Sequence, residues 1–250
     1  MCSPIRHAQQ VPWVVTRISL PNANIHGHLG GLNFSALPFL TYIDLYNNGL
    51  HGTIPANITS LSTLSYLNLK SNWLTGHIPL EIGDLQNLTV LDLSFNNLTG
   101  HIPESLANLT MLVSLRIHQN WVSGPIPNDI GRLVNLLVLQ LSNSSISGEI
   151  PKSLGNLTQL HSLYLQRNNL WGPIPTELGK LVNVRSLYLS SNRLTGPIPV
   201  SLANLTEVSL LYLFGNHITG SIPTELGESN LWKNSKDFSE VAEYQPPAHV

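Results

Sequence analysis

The 250-residue sequence contains a single cysteine, Cys2, so no internal disulfide can form, and no Cys/His spacing of a structural zinc site or His-Glu-x-x-His kind is present. Charge is scarce as well. Asp, Glu, Lys and Arg make up 10% of the chain and the net charge is -2 at pH 7, where an ordinary soluble domain carries about 25% charged residues. Such a chain has no electrostatic footprint for nucleic acid, an anionic membrane surface or a strongly acidic partner, so whatever it binds is held by shape and hydrogen bonds. No apolar run reaches the ~18 residues of a membrane-spanning helix. The first twenty residues also lack the uninterrupted apolar stretch of a secretory leader.

What the sequence has in excess is leucine and asparagine, placed with a period. Glycine followed by x-Ile-Pro recurs at Gly52, Gly76, Gly100, Gly124, Gly148, Gly172, Gly196 and Gly220, each interval being 24 residues. Leucine-type residues stand nine, seven and two positions before each glycine, as in Leu91, Leu93 and Leu98 before Gly100. Asparagine stands four before it in seven of the eight, at Asn48, Asn72, Asn96, Asn120, Asn168, Asn192 and Asn216, with Ser144 as the exception. Residues 17–27 fit as a degenerate first repeat ending at Gly27, with Ala23 in the asparagine slot.

A strict short period implies a solenoid, in which each coil buries its apolar face only against its neighbours. The x-Leu-x-Leu segment of each coil predicts a short strand whose leucines point inward while the alternate residues line a concave face. Nine such strands at ~4.8 Å spacing make a parallel sheet roughly 40 Å long, a span suited to a peptide or protein surface. The asparagine predicts a buried ladder that satisfies backbone groups left unpaired where the strand turns, a task Ser144 performs only in part. In the Gly-x-Ile-Pro element, proline fixes φ and removes a donor while glycine permits the turn, which predicts a second run of short strands.

These motifs, LTGPIP, LTGHIP and xxLxxLxxLxxLxLSxNxLxG, resemble the plant extracellular leucine-rich repeats of receptor-like kinases and receptor-like proteins. The resemblance covers about residues 13–228. It implies an α/β repeat fold: a right-handed solenoid with a curved parallel sheet on the concave face, short 3-10 or helical turns on the convex face, and the second strands beside them. It also implies a non-catalytic recognition module for a peptide or protein ligand in signalling or defence, with a co-receptor ectodomain as a further partner and a cell-surface or extracellular setting. No cofactor, metal or nucleic acid is expected. Against the family pattern, residues 1–12 read as the remnant of an N-terminal cap and residues 229–250 as a non-repeat tail. The chain thus resembles an ectodomain cut at both ends, with poor order expected at residues 1–12 and about 232–250.

On this reading the ligand face comes from slots ten, eight, six and five before each glycine. The slot eight before gives Asp44, Asn68, Asp92, Arg116, Gln140, Tyr164, Tyr188 and Tyr212. The slot six before contributes Tyr46, Lys70, His118 and Phe214, and neighbouring positions add Tyr42, Tyr66, Trp73, Phe95, Trp121 and Arg167. Rigid aromatics and arginines are the residue types that concentrate binding energy. Arg116 with His118 is half of the Arg-x-Arg pair with which family peptide receptors hold a terminal carboxylate. Eight Asn-x-Ser/Thr sequons, at Asn33, Asn57, Asn87, Asn97, Asn108, Asn143, Asn156 and Asn204, are candidates for N-glycosylation. Asn108, Asn156 and Asn204 share a convex slot, whereas Asn97 and Asn143 border or lie on the concave face. His77 and His101, one repeat apart, read as surface histidines, and Glu81, Glu177 and Glu225 have no facing acid. With no nucleophile elbow, phosphate loop or kinase catalytic loop, enzyme activity is not expected. A secreted inhibitor of a microbial cell-wall enzyme, an ice binder using Thr75, Thr99, Ser123, Ser147, Thr195 and Thr219, and a truncated product without function are the competing readings.

Overall fold

The computed structural model describes residues 14–228. Trp13, the expectations for residues 1–12 and those for the 229–250 tail lie outside the described residues. Within them each coil holds a three-residue strand and a second short strand followed by a 3-10 turn, except that the last coil ends in the short α-helix Thr224–Glu228.

The first strands form one nine-stranded parallel sheet in chain order, from Arg17–Ser19 through Tyr42–Asp44 to Leu210–Tyr212. The repeat length sets the register, because Tyr42 pairs with Tyr66 and Tyr66 with Val90, steps of 24 residues. The degenerate first repeat is one residue longer, and Arg17 accordingly pairs with Tyr42. Leu67, Leu91, Leu115, Leu139, Leu163 and Leu187, each at the centre of its strand, are fully buried. Alternation puts the residues flanking these leucines on the other side of the sheet, where all but the buried Asp92 and Ser114 are half-exposed. Each of the seven strands from Tyr42–Asp44 to Ser186–Tyr188 then leaves through a left-handed residue, at Asn47, Ser71, Phe95, Gln119, Asn143, Arg167 and Ser191, with φ between 52° and 57°.

The asparagine ladder follows. Asn72 donates through Nδ2 to the Leu69 carbonyl of its own coil and the Leu45 carbonyl of the coil before, both at 3.0 Å, and its Oδ1 accepts from the Leu50 amide at 3.1 Å. Asn96, Asn120, Asn168, Asn192 and Asn216 repeat this two-coil pattern, and Asn48 reaches Ala23 and Ile25 of the first repeat. Ser144 departs from expectation: its hydroxyl does not share the task in part but is buried with no hydrogen-bond partner, because its side chain is shorter than that of asparagine by an amide group.

The second strands form beside the main sheet as expected and begin ahead of the glycine. They lie mainly on the residues leading into the glycine, as in Gly49–Thr53 and Trp73–His77, and stop where Ile54, Ile78, Ile102 and their equivalents turn into the core. They form a four-stranded and a five-stranded ladder joined by a single bridge between His101 and Ser123. The x-Ile-Pro glycines have φ between 72° and 88°, which a residue with Cβ rarely adopts. Proline then starts the 3-10 turns, as Pro79 does for Leu80–Asp84, and these turns stack on the convex side. A glycine such as Gly83 allows that stacking, since a Cβ there would lie 2.3 Å from the Ser105 carbonyl of the next coil.

Candidate functional site

The concave sheet carries three chemically distinct zones along its length. At the N-terminal end the Arg17 guanidinium lies 3.5 Å from the Tyr42 ring centroid, and the Tyr42 and Tyr66 rings stack at 4.2 Å and 7°. Three planar groups from three consecutive coils thus make one pile. Asp44 accepts from Asn68 Nδ2 at 3.0 Å and from the Tyr46 amide at 3.2 Å, which fixes its carboxylate beside the pile. Burial, then the neighbouring Tyr42 and Asp44, raise the Tyr66 phenol above its ordinary pKa. The Lys70 ammonium is shared between the faces of Tyr46 and Phe95, at 5.4 and 5.3 Å, a cation–π geometry.

In the middle zone the floor is polar and partly closed. Asp92 is buried and accepts from the Ser94 amide at 3.0 Å and its hydroxyl at 2.5 Å. His118 is 7% exposed and the Phe95 ring meets it edge-on at 5.1 Å. Burial lowers the His118 pKa to about 4 despite the opposing effect of Asp92, so the imidazole is neutral at neutral pH. Two expectations change here. Asp92 and His118 shape the floor and present almost no surface to a ligand, and His118 supplies no second cation beside Arg116. Arg116 itself is half-buried and donates to Ser114 Oγ at 2.7 Å. Gln140 stays half-exposed next to it.

The C-terminal zone is aromatic and uncharged along the strands. Tyr164 and Tyr188 meet edge-to-face at 4.9 Å, Tyr188 and Tyr212 lie tilted at 46° and 4.4 Å, and Tyr212 and Phe214 meet edge-to-face at 6.0 Å. Burial, with Tyr212 and Tyr164 alongside, pushes the Tyr188 phenol up to about 12. Arg167 stands exposed just beyond the strand edge.

Trp73 and Trp121 are not on this face. Trp73 begins the second strand Trp73–His77 opposite His51, and the Trp121 amide bonds Leu98 O at 2.8 Å in the same layer. Three positions before the glycine, the chain has already passed its left-handed turn and left the concave sheet. Asn97 moves with them, in the second strand Asn97–Thr99. Arg17, which the sequence reading did not single out, belongs to the face; counting ten back from Gly27 lands on it. Of the other sequons, Asn57, Asn108, Asn156 and Asn204 are exposed in convex 3-10 turns. Asn33 is exposed and accepts from Ser35 Oγ at 2.6 Å, Asn87 donates to the Ser62 carbonyl at 2.8 Å, and Asn143 is half-buried at its left-handed turn.

A family model described as a leucine-rich repeat region matches residues 26–171, more than half of the chain, and a second leucine-rich repeat model matches residues 183–205. The chain is a leucine-rich repeat protein. Among curated proteins none matches it. Among solved structures, this leucine-rich repeat chain is similar to the plant peptide hormone receptor RGFR1 in complex with RGF2, with 38% identity and a TM-score of 0.75 over 76% of this chain and 30% of that one. It is also similar to the Arabidopsis receptor kinase HAESA in complex with the peptide hormone IDA and the co-receptor SERK1, with 35% identity and a TM-score of 0.80 over 87% of this chain and 36% of that one. A plant ice-binding protein shares 27% identity and a TM-score of 0.61 over 76% of this chain and 69% of that one. The chain therefore spans about a third of the length of the two receptors it matches. Among the described residues no helix is long and apolar enough to cross a membrane, and no three His, Cys, Asp or Glu side chains gather as metal ligands.

Proposed function

We propose that the leucine-rich repeat chain is a non-catalytic recognition module whose concave face binds an extended peptide or protein segment, as part of a plant cell-surface or extracellular signalling or defence receptor. The observation that carries this reading is the placement of two aromatic clusters, Arg17–Tyr42–Tyr66 and Tyr164–Tyr188–Tyr212–Phe214, at opposite ends of one continuous sheet. Rigid rings bury large area at little entropic cost, and the half-buried polar residues between them offer hydrogen bonds to a main chain laid across the strands. The solved complexes of RGFR1 with RGF2 and of HAESA with IDA and SERK1 support a peptide ligand and a co-receptor as the partners. Four exposed sequons on the convex side support an extracellular setting, since glycans there would leave the concave face open. The solenoid is taken to run over residues 13–228, flanked by a cap remnant and a tail.

Selection of a displayed random-peptide library against the full chain tests the reading. Peptides are expected to enrich that lose binding to the Tyr164→Ala/Tyr188→Ala variant and keep it to Trp73→Ala. A failure to enrich, or enrichment indifferent to the tyrosines, would contradict it. Expression in plant cells with an epitope tag tests the setting: a glycosidase-sensitive, secreted product is expected, and an unglycosylated cytosolic one would contradict it.

A further inference from the structure

The second sheet carries a surface that the concave-face reading does not use. In its four N-terminal strands, His26–His28, Gly49–Thr53, Trp73–His77 and Asn97–Thr99, no residue is Asp, Glu, Lys or Arg. Leu50, Leu74 and Leu98 point into the core, so the alternate residues face solvent. The pairing sorts those exposed residues into rows across the strands. His28 pairs with His51 and His51 with Trp73, with the two imidazoles 4.0 Å apart and Trp73 59% exposed. Beside this row of rings runs a row of hydrogen-bonding groups, Thr53 paired with Thr75 and Thr75 with Asn97.

The arrangement is built in, because the glycines of this sheet leave room for it. A Cβ at Gly52 would come within 2.3 Å of His28 Nδ1, and one at Gly100 within 2.0 Å of His77 Nδ1. The imidazoles therefore occupy space that a side chain on the next coil would need. An exposed tryptophan on the strand next to an exposed imidazole pair marks a binding surface more than a solvated one.

We propose that this face binds a neutral β-linked polysaccharide. The β-1,4-linked members of this class are flat ribbons whose pyranose C–H faces stack on aromatic rings and whose equatorial hydroxyls meet hydroxyl, amide and imidazole groups at the edge. The exposed Trp73 indole supplies the stacking contact, the His28 and His51 imidazoles, which cross at 81°, add hydrogen-bonding edges, and the Thr53, Thr75 and Asn97 row supplies the second contact. The absence of formal charge on these strands fits an uncharged polymer, in contrast with the concave face, where Arg17, Asp44, Lys70 and Arg116 stand. A row of hydroxyls on a sheet also suits an ice surface, but three adjacent rings, one of them a projecting indole, break the flat hydroxyl lattice that ice would need.

Affinity electrophoresis of the full chain in gels containing hydroxyethyl cellulose, xyloglucan, polygalacturonate or no polymer tests the proposal. The parent is run beside Thr99→Ala, which removes the Asn97-Leu98-Thr99 sequon and leaves Asn97 itself in place. Retardation is expected in the two neutral glucans and not in polygalacturonate. It should weaken about tenfold in His51→Ala/Trp73→Ala, as for loss of an interface hot spot, return in Trp73→Phe, and persist in Tyr164→Ala/Tyr188→Ala. Urea midpoints equal to the parent confirm that the variants are folded. Absence of retardation in both the parent and Thr99→Ala, or equal retardation of His51→Ala/Trp73→Ala, would overturn the proposal. So would inhibition of ice recrystallisation without glucan binding, which would give the face to ice.

Discussion

At the residue scale, the polar groups buried in the core carry the sharpest consequences. Asn120 accepts from the Leu98 amide at 2.9 Å and donates to Leu93 and Ile117 carbonyls at 3.0 and 2.8 Å, so Asn120→Leu leaves backbone groups of two coils unpaired. A loss of more than about 1 kcal/mol is expected, read from urea unfolding midpoints. Ser144→Asn should act in the opposite direction and raise stability by about 1 kcal/mol by restoring the missing rung. Titration gives an independent check through His118. Its pKa falls from 6.5 to about 4 on folding, so between these values the unfolded chain binds more protons than the folded one. Stability should accordingly be full above pH ~6.5 and decline as pH falls toward 4, by up to about 3 kcal/mol from this residue alone. The corresponding part of the decline should be absent from His118→Gln. The asparagines were legible in the sequence because their slot repeats. The burial of Asp92 and His118 was not, since it depends on the Ser94 hydroxyl and the Phe95 ring covering them, contacts that a slot count does not contain.

At the scale of the elements, the period specified the concave strands and the convex turns directly, while the second strands fell a few residues earlier than the Gly-x-Ile-Pro motif suggests. The sequence reading assigned that motif the extended backbone, but Ile-Pro turns inward and the strand pairing belongs to the residues before it. The same displacement moved Trp73 and Trp121 from the concave face to the second sheet: a shift of two positions past a left-handed residue changes which side of the coil a side chain lines. Stacking of the convex turns makes its own prediction. At Gly131 a Cβ would stand 2.3 Å from the Ser153 carbonyl, so Gly131→Ala must push two turns apart. A destabilisation of about 1–3 kcal/mol is expected, measured by thermal or urea unfolding. An unchanged midpoint would mean that the turns stack with room to spare.

For the whole molecule, each coil depends on its neighbours. Leu210 and Phe214 of the last described coil are 40% and 46% exposed, whereas the equivalent strand positions mid-solenoid are better covered. The chain therefore offers a rigid central sheet with a chemically graded surface, from the Arg17–Tyr42–Tyr66 pile to the tyrosine run. Comparison of hydrogen–deuterium exchange with and without a selected peptide tests this account most directly. Binding in the concave groove predicts added protection in the strands Tyr42–Asp44 through Leu210–Tyr212 and their left-handed exits, with the convex 3-10 turns unaffected. Protection confined to the convex turns or to the second sheet, with the concave strands unchanged, would contradict the assignment of the concave sheet as the recognition face.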